Sequence, residues 1–332
     1  IEAFRPDAVV ADVLLFGSII AAQAAALPVA ALVPNIWVLP TRGTPPIGPG
    51  FQPAKTTLGR ARDTTMLRIV NRLFRAGLPA LNSARSAYGL EPLSSFYDQA
   101  LTSDRLLVLA SPAFDYASGS VPANARYVGP ILDDPGWAEA WTPPWPAEST
   151  DPLVLVGFSA TYQNQGPLLR RVVEALSSLP LRAVVTLGQM LHPSEVPSTA
   201  NVTVVRSAPH NVILRDASLI VSHCGHGTTM KALAAGVPIV CIPMGRDQND
   251  TAARVVYHGA GIRLSPKAST RKICNTVQTI LGNDRFRTNA SRLASAIAQE
   301  QRSADIVAEL EQLTDTSPIA TDIPRPREQA SA

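Results

Sequence analysis

Short apolar runs alternate with amphipathic stretches along most of the chain, and that alternation limits what it can fold into. In residues 152–316 the pattern is regular. Apolar runs at 153–157, 182–187, 202–205, 219–222 and 237–242 are of the kind that forms strands buried on both faces. Helical periodicity occupies 165–179, 228–235, 247–257 and the region from 270 to about 313. Strands alternating with helices specify an α/β fold built on a doubly wound parallel sheet.

The first part of the chain carries the same alternation less regularly. Residues 8–15 are an apolar run broken by Asp12, followed by an alanine-rich helix over 17–27 that stops at Pro28, and by a strand at 29–33. A carboxylate inside a buried run is costly, so Asp12 is expected at the strand's C-terminal end, the edge that faces the active crevice in open α/β sheets. It either serves that crevice or caps the next helix. Residues 34–55, rich in Pro and Gly, read as a loop whose Ile36, Trp37, Val38, Leu39 and Phe51 either wall an apolar pocket or pack on their own core. Residues 57–88 are helical, and 106–110 and 126–128 are strands. Pro and Trp then crowd 133–151, which leaves few regular options and reads as an interdomain linker. The organisation expected is one domain over 1–132, a linker over 133–151, a second domain over 152–316 and a frayed tail over 317–332. Ile1 falls in the middle of an α/β pattern, so the first domain reads as incomplete, a fragment lacking its earliest elements.

Composition narrows the class. The 332 residues suit two domains, each able to bury a core, and a net charge of +3 indicates neither a nucleic-acid footprint nor an acidic tail. The three cysteines, Cys224, Cys241 and Cys274, sit in apolar context and are too few for a disulfide scaffold, so a reducing cytoplasm is expected. No stretch reaches the length of a membrane span, and no signal peptide is seen.

The chemistry concentrates in residues 218–250. A buried strand ends at His223; Gly225 and Gly227 permit a tight turn; Thr228 and Thr229 open a helix that stops at Gly236. Strand, glycine turn and helix start together point backbone N–H groups and the positive end of a helix dipole outward, which makes a phosphate site. His223, Thr228 and Thr229 add side-chain donors, while Asp247 and Gln248 beyond the next strand offer groups suited to sugar hydroxyls. A metal site at His223, Cys224 and His226 is disfavoured because the spacing is too tight for tetrahedral zinc. A dinucleotide site would want a glycine where Met230 stands.

Three pieces of this region, Ser207-Ala208-Pro209-His210, His223-Cys224-Gly225-His226-Gly227-Thr228-Thr229 and Asp247-Gln248, resemble the donor-binding signature of family 1 (UDP-type) glycosyltransferases across some forty residues. The rest of the chain is similar to that family's macrolide-type bacterial branch. The resemblance implies the GT-B fold, two Rossmann-like domains facing a cleft, with the first incomplete here. It implies that the diphosphate is bound by His223, Gly225, Gly227, Thr228 and Thr229 with Ser159 or Thr161, the nucleoside by Ser207, Ala208, His210 and Lys231, and the sugar by Asp247 and Gln248. Asp12 matches the family's carboxylate that orients a catalytic histidine, and that histidine has no counterpart in the residues present.

Two positions depart from the family pattern. Ser207 stands where many relatives stack a Trp on the base, and Lys231 where they commonly hold the ribose with a Glu, so a dTDP-sugar rivals a UDP-sugar as donor. The implied activity is inverting transfer of a sugar from a nucleoside-diphosphate sugar to a hydroxyl of an apolar small molecule, with no cofactor and no metal. The alternatives are a non-catalytic sugar-nucleotide-binding partner of another transferase, and an epimerase needing cleft carboxylates that the sequence does not supply.

Overall fold

A computed structural model describes residues 4–41, 43–116, 121–136, 140–146, 148–159, 164–189 and 191–315. The chain divides into two compact units. The first comprises Ile1–Pro46, Pro53–Gly129 and Glu300–Ala332, and the second Ile47–Gln52 with Pro130–Gln299.

The first unit holds a four-stranded parallel sheet in sequential order: β1 (Val9–Asp12), β2 (Val29–Val33), β3 (Arg105–Val108) and β4 (Ala125–Tyr127). α1 (Phe16–Ala24) links β1 to β2. α2 (Thr57–Arg75), α3 (Leu78–Ala87) and the short α4 (Asp98–Leu101) lie between β2 and β3. The single helical stretch expected over 57–88 is thus broken near Gly77, just before Pro79 in the first turn of α3, where proline is tolerated. Trp37 and Leu39 of the Pro/Gly-rich loop pack into the core of this sheet, Ile36 beside them in the chain is fully buried, and the Trp37 backbone N–H donates to Asp115 at 2.6 Å. They are core residues of their own unit, and Trp37 and Leu39 also border a cavity within it.

The second unit carries six parallel strands: β5 (Leu153–Gly157), β6 (Arg182–Thr186), β7 (Val202–Val205), β8 (Ala217–Ser222), β9 (Ile239–Cys241) and β10 (Gly261–Arg263). Their order across the sheet is β10-β9-β8-β5-β6-β7. The helices are α5 (Gly166–Ser177), α6 (His210–Leu214), α7 (His226–Ala234), α8 (Gln248–Tyr257), α9 (Thr270–Leu281) and α10 (Asp284–Ser303). β5 is buried at every residue and β8 at all but one, which is why these runs read as continuously apolar. The strand order reverses between β5 and β8, so the C-terminal ends of these two strands open a crevice.

The observed division differs from the sequence-based one in three places. The second unit begins at Pro130, so 130–136 belong to it and are not a linker. The chain returns to the first unit at Glu300, where Ile306, Leu310 and Leu313 of α11 (Ile306–Asp315) pack with Ala30 and Leu107. Ile47–Gln52 joins the second unit because buried Asp250 accepts the N–H groups of Gly48 at 2.7 Å and Gly50 at 3.0 Å. Gly50 has φ +71°, and a Cβ there would lie 2.5 Å from the Asn249 carbonyl oxygen, so only glycine fits. The expected tail over 317–332 lies outside the described residues. Among the described residues no helix is long and apolar enough to cross a membrane.

Candidate functional site

The crevice between β5 and β8 contains a cavity of about 320 Å³, built entirely within the second unit. Each strand that reaches it delivers a residue just beyond its C-terminal end. Phe158 follows β5, Thr186 and Gly188 close β6, Ser207 follows β7, and His223 follows β8.

The floor is the start of α7. Ser222 Oγ accepts the Cys224 N–H at 3.1 Å and pins a turn in which Cys224 adopts φ +63°, a left-handed conformation that a non-glycine residue holds only under local constraint. Gly225 is the N-cap, with φ −60° and ψ 141°, and no side chain caps it. The first intrahelical bond runs from the Thr229 N–H to the Gly225 carbonyl at 3.0 Å, so Gly227 and Thr228 sit in the turn whose N–H groups lack helical acceptors. Both border the cavity. Nine residues of aligned peptide dipoles end there with their positive pole, an environment that favours an anion. Gly236 at φ +67° then ends the helix, as expected.

His223 lies across Gly225. A Cβ on that glycine would stand 2.5 Å from the His223 Nε2. The ring stacks on Phe158 with centroids 6.0 Å apart, and its Nδ1 is 3.5 Å from the Gly157 carbonyl oxygen. That contact assigns the proton of the neutral ring to Nδ1. Burial pushes the His223 pKa down to about 4, against upward pulls from the Gly157 carbonyl and the Asp247 charge. His210 is also pushed down to about 4, by burial first and then by the charge of Lys231. Its Nε2 is 3.0 Å from Thr186 Oγ1, and its ring fills the space a side chain on Gly157 would need. His210 therefore borders the cavity while packing β5, β6 and α6 together.

The structure brings most of the expected donor-site residues to one place and separates others. His210, His223, Gly225, Gly227, Thr228, Ser207, Ala208 and Lys231 all border the cavity. Thr229 does not. One residue on from Thr228 it has turned about 100° around the helix, is fully buried, and its hydroxyl has no hydrogen-bond partner among the described residues. Ser159 is buried, its carbonyl accepting Gln165 Nε2 at 2.9 Å, and Thr161 lies outside the described residues. Gln248 is buried with Oε1 accepting the Met244 N–H at 2.8 Å, so its amide holds the loop after β9. Asp247 precedes α8 half-exposed, close enough for its charge to act on His223. In the first unit Asp12 ends β1, as its place in the apolar run implied, and its Oδ1 accepts the Leu14 N–H at 2.8 Å.

Sequence reading missed Asp134, Phe158 and Arg206. Asp134 Oδ1 lies 2.6 Å from Lys231 Nζ, and its Oδ2 accepts the Asn211 N–H at 3.0 Å, so a residue of the expected linker forms part of the cavity wall. Nothing local announced this, because the pair spans 97 residues. Arg206 borders the cavity beside Ser207, where the resemblance drew attention to the serine alone.

Comparison with known proteins agrees with this geometry. Residues 170–313 match the family model of the erythromycin biosynthesis protein CIII-like C-terminal domain. The chain is 31% identical over 319 residues to 4'-demethylrebeccamycin synthase of Lentzea aerocolonigenes, covering 94% of this chain and 75% of that protein. Among solved structures it resembles CalG4, the calicheamicin glycosyltransferase, with a TM-score of 0.73 at 22% identity over 94% of this chain and 74% of that one. It likewise resembles the spinosyn rhamnosyltransferase SpnG complexed with thymidine diphosphate, with a TM-score of 0.67 at 22% identity over 93% and 74% of the respective chains. The chain belongs to the macrolide-type bacterial branch of the family 1 glycosyltransferases, enzymes of the GT-B fold.

Proposed function

We propose that this glycosyltransferase takes its sugar from a UDP- or dTDP-sugar and delivers it, with inversion at the anomeric carbon, to a hydroxyl of an apolar small molecule. The observation that carries the donor half is the uncapped start of α7 opening into the 320 Å³ cavity at the β5/β8 reversal. There the N–H groups of Gly227 and Thr228 and the helix dipole meet the charge that develops on the departing diphosphate. His223, neutral before the ligand arrives, takes up a proton beside the diphosphate and becomes a donor to it. These groups neutralise the leaving charge without a metal ion. A neighbour of the same fold solved with thymidine diphosphate supports a dTDP-sugar as one of the two donors.

The acceptor half belongs to the first unit. A cavity of about 410 Å³ there has a mixed lining, with Trp37, Leu39 and Leu101 as apolar walls and Asn71, Ser95 and Asp98 as polar groups, which suits a hydroxylated acceptor with an apolar body. Asp12, at the C-terminal end of β1, has the carboxylate's part in proton transfer, and the imidazole base that it would orient and charge has no counterpart among the residues present. The first unit itself contains no histidine. Attack by the acceptor oxygen on the face opposite the diphosphate breaks the anomeric C–O bond and inverts the centre.

The test is mass-spectrometric detection of glycosylated product from UDP- and dTDP-sugars with a panel of hydroxylated apolar acceptors, with and without EDTA. The expected result is binding of the nucleotide with transfer that is very slow or absent, because the residues present supply Asp12 and no histidine base for it to orient, and any product that forms is unaffected by EDTA. Product that forms only with an added divalent cation would overturn the metal-free scheme, and failure to bind either nucleotide would overturn the donor assignment.

A further inference from the structure

We infer that α2 is an in-plane anchor that seats the first unit on the surface of an anionic phospholipid bilayer. The seating is independent of how the second unit binds its donor.

α2 has no core of its own. It runs for 19 residues and none of them is buried. It is fastened at its ends: Thr56 Oγ1 accepts the Gly59 N–H at 3.1 Å, and the Phe74 ring lies 5.5 Å from that of Phe96 and 5.2 Å from that of Tyr97. Between those ends Leu58, Ile69 and Leu73 are 82%, 49% and 69% exposed. At 3.6 residues per turn these three fall within about 60° of one another, so they form one stripe along the helix. A helix in a folded protein draws most of its stability from covering such a face. Here the protein itself leaves the stripe open.

Charge identifies what covers it. α2 carries Arg60, Arg62, Arg68, Arg72 and Arg75 against Asp63 alone, a charge of +4 in a chain whose total is +3, so the rest of the molecule is net −1. All five arginines are exposed. Arg62 pairs with Asp63 at 2.7 Å, whereas Arg68, Arg72 and Arg75 have no carboxylate partner among the described residues. Arg72 and Arg68 lie within about 80° of Leu58, on the side of the stripe away from half-buried Met66 and Val70. Their stems can follow apolar surface while the guanidinium groups reach phosphate. A protein groove would need a carboxylate opposite each arginine, but a layer of anionic headgroups offers phosphate at every point. An apolar stripe bordered by arginines is the pattern of a helix lying in the membrane interface, and α2 is not apolar enough to cross it. Asn71 of the same helix borders the cavity of the first unit, so this seating sets the rim of that cavity at a surface where apolar molecules collect.

Flotation of the full chain with phosphatidylcholine vesicles, and with equimolar phosphatidylcholine–phosphatidylglycerol vesicles, tests this. Wild type should partition into the mixed vesicles at least about tenfold more strongly than into the neutral ones, since each arginine near an anionic surface adds about fivefold. Hydrogen exchange on the mixed vesicles should show new protection over 57–75. Arg68→Gln combined with Arg72→Gln should lower partitioning on the order of tenfold, and Ile69→Gln combined with Leu73→Gln should do the same through lost apolar contact. These positions are at the surface, so Tm should stay within about 1 °C of wild type in both variants. Leu58→Gln replaces the second variant if that one does not fold. Equal partitioning into the two kinds of vesicle would overturn the inference. So would binding undiminished by Ile69→Gln and Leu73→Gln, which would be adsorption by charge alone, or protection confined to residues outside 57–75. A dimer in sedimentation velocity that Leu73→Gln dissociates would assign the stripe to a second copy of the chain and overturn it too.

Discussion

Gly225→Ala separates the His223 arrangement from a general need for glycine in the turn. At φ −60° and ψ 141° the backbone of Gly225 is in a region any L-residue adopts, so alanine meets no backbone penalty. Its methyl group, however, would stand 2.5 Å from His223 Nε2 and 2.9 Å from Cε1, about 0.9 Å short of ordinary contact. The ring cannot simply retreat, because its face is on Phe158 and its Nδ1 is at the Gly157 carbonyl. Overpacking of this kind typically destabilises by about 1–3 kcal/mol. In a unit of this size that lowers Tm by roughly 2–4 °C per kcal/mol. The displaced imidazole would also enter the cavity, so nucleoside-diphosphate affinity should fall at least about tenfold, some 1.4 kcal/mol.

Gly227→Ala is the matched control with the opposite stability sign. Nothing lies within 4 Å of its added Cβ, and alanine favours the helix by up to about 1 kcal/mol over glycine. That variant should hold or raise Tm, yet weaken the diphosphate by crowding the cavity it borders. Calorimetric titration and thermal unfolding of both variants provide the assay. An unchanged Tm and affinity in Gly225→Ala would refute the His223 geometry, and unchanged affinity in Gly227→Ala would refute placement of the diphosphate against that backbone.

The two buried histidines predict a pH dependence. Their folded pKa values of about 4 lie below the ordinary 6.5, so the unfolded chain binds more protons between those limits. Their stability contribution is complete above pH 6.5 and is lost as pH falls towards 4, by about 2 kcal/mol per histidine at pH 5. Urea unfolding at pH 7 and pH 5 with equal free energies would contradict this. Gln248→Ala, which strands the Met244 N–H, should destabilise by about 1–3 kcal/mol, whereas Asp247→Ala should leave Tm almost unchanged. Steady-state kinetics should show Asp247→Ala impairing use of the nucleotide sugar while titration shows the bare diphosphate still bound; a lost diphosphate would make Asp247 structural. In a chain that also supplies the histidine base, Asp12→Ala should slow transfer about 10²-fold or more at unchanged nucleotide affinity, and an equal fall in affinity would remove it from proton transfer.

What the sequence made legible was local. His223, the two glycines, Thr228 and the helix stop at Gly236 sit within fourteen residues, and their spacing encodes a strand–turn–helix without help from distant contacts. The apolar runs of the second unit were equally plain because its strands are buried on both faces. Asp12 declared its strand-end place by interrupting such a run. What stayed hidden depends on partners far along the chain. Asp134 is 97 residues from Lys231, and Asp250 is 200 or more from the glycine N–H groups it holds. The packing of α11 on β2 and β3 likewise reverses the expected domain boundary through contacts no local pattern carries. Thr229 failed for a different reason: two adjacent threonines look equivalent in sequence, yet one step of helical rotation sends one to the cavity and the other to the core.

The central claim is that the start of α7 holds the donor's diphosphate, and a crystal structure of this protein with UDP or dTDP tests it most directly. The account predicts phosphate oxygens within hydrogen-bond distance of the Gly227 and Thr228 N–H groups and of His223 Nε2. A nucleotide bound with its phosphates away from the first turn of α7, or seated in the cavity of the first unit, would contradict it.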